Sequence, residues 1–328
     1  MVWVTGGGRE PGVKSRGPIR ERGIRGPSET HGSVVVKESY DKLRHIGEGG
    51  QGKLWVVKRK SDKKVLVRKE QKRFEMQGAI PCEMYLFESV LTRHPSIIGF
   101  DHANYVEANG SRGSLVLYFE HCQGGDLSEY TPRGREGGVS EDFMWHCFIQ
   151  LADAIAFLHY GYNRFARYPS SPPREWKRVV HRDIKPPNVF LRREPTSRNP
   201  VPEVVLGDFG LATMEGVTYG GGTKEWIGPE IPLMTKENDV WGLGSIIHAL
   251  AHGKGPVSWP PRDWPRGEAA EDRWYRSPRA RQPKPLPKGY SSTLNRNMMD
   301  CLVKDPAKRI NSLQLVKNLV AERSKVRR

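Results

Sequence analysis

VVHRDIKPPNVFL, residues 179–191, followed after a short polar interval by VVLGDFGLA, residues 204–212, decides how the chain is read. Two apolar strand-like pieces bracket a polar turn that gathers His181, Arg182, Asp183, Lys185 and Asn188, and a further apolar strand ends in Asp208 just before Phe209 and Gly210. Polar side chains confined to a turn between buried strands contribute little to packing, so their types call for chemistry or local hydrogen bonding. Either triplet alone, His-Arg-Asp or Asp-Phe-Gly, reads equally well as an ordinary turn closed by an Asx hydrogen bond. Together, with Lys185 and Asn188 in step and 25 positions from Asp183 to Asp208, they mark a site.

Working outward, a strand pattern begins at Ser39 and reaches Gly47, Gly49 and Gly52, which form G-x-G-x-x-G. Glycines there let backbone amides approach phosphates where a side chain would intrude. Dinucleotide-binding folds use the same letters but set them between a strand and a helix; here the strand-like LWVVKRK follows instead. Val65, Leu66 and Val67 then lead to Lys69, 17 residues after Gly52. Its neighbours Lys58, Lys60, Lys63, Lys64 and Lys72 read as solvent-facing charge, whereas Lys69 closes a buried-looking strand. A helix is expected from Pro81 to the His94-Pro95 turn, offering Glu83 and Glu88 as partners for that lysine. Helical spacing to Leu86 and Leu91 favours Glu83; a register slip would favour Glu88.

These motifs, in this order, resemble the eukaryotic protein kinases over residues 39–320. The resemblance implies an α+β, two-lobed fold with a small β-rich N-terminal lobe and a larger, mostly helical C-terminal lobe. It implies an ATP-dependent protein serine/threonine kinase that uses Mg2+, because Lys185 stands two residues after Asp183. Asp183 would orient and deprotonate the substrate hydroxyl, Lys185 would sit by the transferred phosphoryl group, and Thr223 would support Asp183. Asn188 and Asp208 would hold Mg2+, a hard ion that keeps some of its waters. The glycine loop and Leu54 would cover ATP, Lys69 would hold its phosphates, and Phe119 would guard the back of the adenine pocket. The backbone of Glu120 and Cys122 would pair with adenine, and Asp126 would meet the ribose or a basic substrate residue. Gly228-Pro229-Glu230 stands where the family has Ala-Pro-Glu, with Arg309 placed to pair with Glu230 and Asp239 placed to tie the catalytic loop to a buried helix. Arg182 is the mark of kinases stabilised by a phosphate on the activation segment, which makes Thr213, Thr218 and Tyr219 candidate switches. The wording of LVRKE, EHCQGGDL and GGTKEWIGPE is loosely similar to the NIMA-related kinases.

Residues 1–38, rich in Gly, Pro, Ser and Arg, read as a disordered tail; the small lobe is expected over about 39–120, the large lobe over about 124–320, and a basic tail over 321–328. The segment 161–178 interrupts the family spacing as a surface insertion, and 255–289, rich in Pro and Arg, reads as an irregular loop. Four dispersed cysteines indicate neither a zinc knuckle nor a disulfide framework. With no run of 18 apolar residues and no secretory leader, an intracellular protein, cytoplasmic or nuclear, is expected. The net charge of +16 lacks the aromatic interleaving of a dedicated nucleic-acid module. Besides a protein substrate, it suits an acidic protein partner. The alternative reading is accordingly a catalytically weak pseudokinase or scaffold that binds such a partner, supported also by Gln51 at the glycine-loop tip, Leu54 and the short activation segment.

Overall fold

In the computed structural model, the small lobe is built on strands whose side chains alternate between two faces. The structure describes residues 39–49, 52–71, 76–77, 80–108, 111–130, 139–166, 175–193, 201–214 and 218–326. The expected tail over 1–38 and the loop-tip residue Gln51 lie outside these.

β1 (Tyr40–Gly49), β2 (Gly52–Arg59) and β3 (Val65–Gln71) run antiparallel; a two-residue hairpin, β4 (Met76–Gln77) and β5 (Ile80–Pro81), leads to the helix α1 (Cys82–Tyr85). β6 (Phe100–Ala108) and β7 (Ser111–Glu120) complete a five-stranded sheet in the order β1-β2-β3-β7-β6. Leu66, Val116, Tyr118 and Val57 cluster on the outer face, against Tyr40 and Trp55. Leu115, Leu117 and Phe119 take the inner face, toward Leu86 and the main core. Period two therefore carries Val67, Lys69 and Gln71 inward, and both Lys69 and Gln71 are buried. The helix is shorter than its spacing suggests: Pro81 still belongs to β5, α1 ends at Tyr85, and a wider π-type turn over Leu86–Val90 follows.

The large lobe is organised on two buried helices, α2 (Glu141–Tyr160) and α3 (Lys236–His252). Ser140 caps α2 by accepting from the Phe143 amide, and left-handed Gly161 and Gly253 end the two helices. Between them, β8 (Val179–Val180) pairs with β11 (Thr213–Met214), β9 (Val189–Leu191) pairs with β10 (Val204–Leu206), and β12 (Thr218–Tyr219) pairs with β13 (Leu233–Met234). The first two ladders fix both ends of each polar loop noted in the sequence. The Ile98 amide donates to the Leu206 carbonyl and the Leu206 amide to that of Ser96, which joins the lobes behind the cleft.

Two expectations need correction. The stretch 255–289 contains a helix, α4 (Glu268–Arg276), because Ala270, Trp274 and Tyr275 share one face and are buried, which outweighs the flanking prolines. After α5 (Ser292–Cys301), the last helix α6 (Ser312–Val326) takes in most of the expected basic tail, and Arg323 in its last turns reaches back to Asp142.

Candidate active site

The buried end of β3 places Lys69 Nζ 3.0 and 2.9 Å from the two carboxylate oxygens of Glu83 and 2.7 Å from Oδ1 of Asp208. Glu88, one turn and a half later, is exposed. Burial works against the Lys69 ammonium, but the Glu83 and Asp208 carboxylates outweigh it and raise its pKa. Burial raises Glu83, and although it acts the same way on Asp208, Lys69 holds that carboxyl below its ordinary value. Gln71, two residues on and on the same face as Lys69, donates its side-chain amide to Glu83. Sequence reading missed it; the period-two register of β3 was the available signal.

The polar residues of the 181–188 loop form a second cluster around Asp183. Its Oδ1 accepts from the Thr223 hydroxyl (2.8 Å), and its Oδ2 accepts from the Asn188 amide (2.9 Å) and the Lys185 ammonium (2.8 Å). Lys185 Nζ also donates to Thr223 Oγ1 at 2.8 Å. The structure thus gathers Asp183, Lys185, Asn188 and Thr223 into one network. The loop is anchored from below by Asp239 in α3, which accepts from the amides of His181 (2.8 Å) and Arg182 (2.9 Å). Asp239 also meets His159 Nε2 at 3.0 Å, and His159 Nδ1 lies 2.9 Å from Ser312 Oγ in α6. His181 Nε2 is 3.0 Å from the Gly207 carbonyl oxygen, so the two polar loops are bonded to each other.

Phe209 is fully buried beneath Asp208, edge-on to His181 and Phe87, with ring centroids 4.8 and 5.0 Å away. Phe87 in turn meets Phe119, so one aromatic column runs from the 181–188 loop to the inner face of β7. Asp208 and Arg182 both adopt positive φ, 56° and 71°. Backbone held in that region by non-glycine residues is concentrated at functional sites.

Gly52 is required where it stands: at φ 134° an added Cβ would meet the Glu70 carbonyl oxygen at 1.8 Å. Leu54 is partly buried on β2, opposite Lys69 in the strand register. The Glu120 amide donates to the Gly99 carbonyl (2.8 Å), and its carboxylate engages the Arg192 guanidinium. Burial pushes the Cys122 thiol up to about 12. Asp126 accepts through Oδ1 from the Ser128 amide at 2.8 Å and from the Ser128 hydroxyl, capping a short turn. Arg309 pairs with Glu230 through both guanidinium nitrogens, at 2.5 and 2.9 Å.

Arg182 meets carbonyls on the activation segment: Nη1 donates to Leu211 (3.1 Å) and Nη2 to Gly220 (2.6 Å). Gly221, at φ 88°, holds a backbone conformation that favours glycine, and a Cβ there would fall 2.8 Å from the flexible end of the Arg182 side chain. Of the candidate switches, Thr213 is half-buried in β11, and Thr218 and Tyr219 form β12.

Among the described residues no group of three or more His, Cys, Asp and Glu side chains could cage a metal. Asn188 turns its Nδ2 to Asp183, which leaves Oδ1 for a cation, and Asp208 keeps one carboxylate oxygen beyond its bond to Lys69. One amide and one carboxylate oxygen fit a hard ion that brings waters and substrate phosphates to complete its shell. No helix among the described residues is long and apolar enough to cross a membrane.

The family described as "Protein kinase domain" matches residues 40–320. The chain is 30% identical to the G2-specific protein kinase nim-1 of Neurospora crassa over 85% of its own length and 33% of the relative's. It is 30% identical to the G2-specific protein kinase nimA of Emericella nidulans, covering 87% and 41%. It is 32% identical to the human serine/threonine-protein kinase Nek5, covering 67% and 28%. The chain therefore spans well under half the length of these curated relatives.

Proposed function

This chain belongs to the protein kinase domain family, loosely related to the NIMA-type kinases, and on that premise we propose that it transfers the terminal phosphoryl group of ATP to a serine or threonine hydroxyl of a protein. The observation that carries the reading is the four-residue network on Asp183. A carboxylate fixed by Thr223, Asn188 and Lys185 is oriented before substrate arrives, and orientation supplies much of the rate in phosphoryl transfer. Asp183 accepts the proton as the acceptor oxygen bonds to phosphorus and the bond to the ADP oxygen breaks. Lys185 balances charge on the moving phosphoryl group. Lys69, locked by Glu83, binds the nucleotide phosphates, and the Glu120–Cys122 backbone receives the adenine edge. Asn188 and Asp208 hold Mg2+, which neutralises phosphate charge when bound.

Radiolabelled-ATP transfer by the wild type and by Asp183→Asn tests this. The variant should bind nucleotide nearly as well but turn over at least about a thousandfold more slowly, since only the transition state uses the oriented base. Calorimetry should show ATP binding strengthened by Mg2+ in the wild type and not in Asp208→Ala. Transfer by the wild type no faster than by Asp183→Asn, with Mg2+-independent binding, would favour a scaffold instead.

A further inference from the structure

Beside the Asp183 network a groove of about 1180 Å³ opens between the C-terminal end of α3 and the 254–284 stretch. Thr223 is among its lining residues, and the Thr223 hydroxyl bonds Asp183, so the groove lies next to that carboxylate. Four indoles line it: Trp226, Trp259, Trp264 and Trp274. Trp259 is 70% exposed, the highest value for a large apolar side chain among the described residues. An exposed tryptophan on the wall of a groove is surface suited to a ligand.

The walls have already used much of their hydrogen-bonding capacity. Trp264 Nε1 donates to the Ala270 carbonyl (2.8 Å) and Trp274 Nε1 to that of Ser258 (2.7 Å). The Ser258 amide donates to Ala280 and the Gln282 amide to Pro256. His248 is engaged on both ring nitrogens, by the Lys254 carbonyl and the Lys284 amide. Trp259 offers an exposed ring and Trp226 and Trp264 half-buried ones, with Trp274 buried behind them, and the backbone groups just named are already paired. A β-strand ligand would leave its own amides unpaired there, whereas a polyproline II segment needs no ladder and packs its ridges between aromatic rings. Lys254, Arg279 and Lys284 also line the groove against only Asp263 and Glu225, and Glu225 is drawn to the Tyr275 hydroxyl.

We propose that this groove receives a proline-bearing, polyproline II segment of the protein substrate, carrying an acidic residue, beside the phosphorylated hydroxyl. The proposal rests on the phosphotransfer reading for the identity of the occupant, but its test does not need turnover. The full chain is titrated, by tryptophan fluorescence and calorimetry, with synthetic peptides in which alanine replaces the acceptor and a Pro-x-x-Pro segment with one glutamate lies on either side. One such peptide should bind at least about tenfold more tightly than its Gly/Ser counterpart, and Trp259→Ala should remove about that factor, as for an aromatic anchor. Changing its glutamate to lysine should weaken binding further. Equal affinity for proline and Gly/Ser peptides, indifference to Trp259→Ala, or tighter binding of an amphipathic helical peptide would each overturn the proposal. Peptide binding without any phosphate transfer would support the groove and count against the enzyme reading, so the two fail separately.

Discussion

Two buried ion clusters in this molecule differ in charge balance, and the difference separates a scaffold from a site. Arg309 and Glu230 have side chains 0% and 7% exposed, the arginine's remaining bonds go to the carbonyls of Val303 and Glu237, and the buried Arg281 guanidinium adds its charge near Glu230. In the other cluster a single ammonium, Lys69, faces two carboxylates, Glu83 and Asp208, and the second of these is 30% exposed. The first sets two buried guanidiniums around one carboxylate and is shut off from solvent. The second carries one negative charge in excess on the side open to the cleft, the condition in which a further cation is held.

Cutting each cluster at its cation should give the largest effects and the clearest contrast. Arg309→Met takes from Glu230 both of its guanidinium hydrogen bonds and should cost about 3–5 kcal/mol of stability by chemical denaturation. Much of that should return in the double variant with Glu230→Gln. Lys69→Met should lower stability less, because Gln71 still donates to Glu83 and Asp208 reaches solvent, while turnover falls by about a hundredfold or more. Equal stability losses for the two would erase the distinction.

A smaller effect tests the groove floor by pH. Burial holds His248 down to about 4, against an ordinary value of 6.5, with the nearby His252, Lys254 and Lys284 charges acting in the same direction. The folded chain therefore keeps this ring neutral while the unfolded chain takes up the proton first. Its contribution is complete above about 6.5 and is lost as pH falls from there toward 4. Between pH 7.5 and 5 the wild type should lose more thermal stability than His248→Gln; parallel losses would show that His248 is not the sensitive group. The smallest effect is expected at Gln71. Gln71→Leu removes one hydrogen bond to Glu83 and should lower kcat/KM by only about threefold with little change in melting temperature, on the scale of a single bond. A loss as large as that of Lys69→Met would make Gln71 part of the charge cluster itself.

Much of this was legible in the chain because motif and periodicity coincide. The strands 65–71, 189–191 and 204–206 deliver Lys69, Asn188 and Asp208 at their ends, and the same alternation that buries Leu66 turns Lys69 inward. Gln71 was overlooked although the alternation that turns Lys69 inward carries it too, since a polar residue near a strand end looks the same whether it faces solvent or a carboxylate. α4 was hidden because prolines and arginines mask a face of only three buried residues. The groove was beyond reach altogether, as its tryptophans lie as far apart as 226 and 274 and meet only through tertiary packing.

Asp239 has a consequence for motion. The amides of His181 and Arg182 are held by a carboxylate that is 1% exposed in the first turn of α3, and that carboxylate is braced through His159 to Ser312. A loop hung on surface bonds would fray on its own. These two amides should exchange with solvent only when α3 parts from the loop, so hydrogen-exchange measurement should give them protection close to that of a core helix.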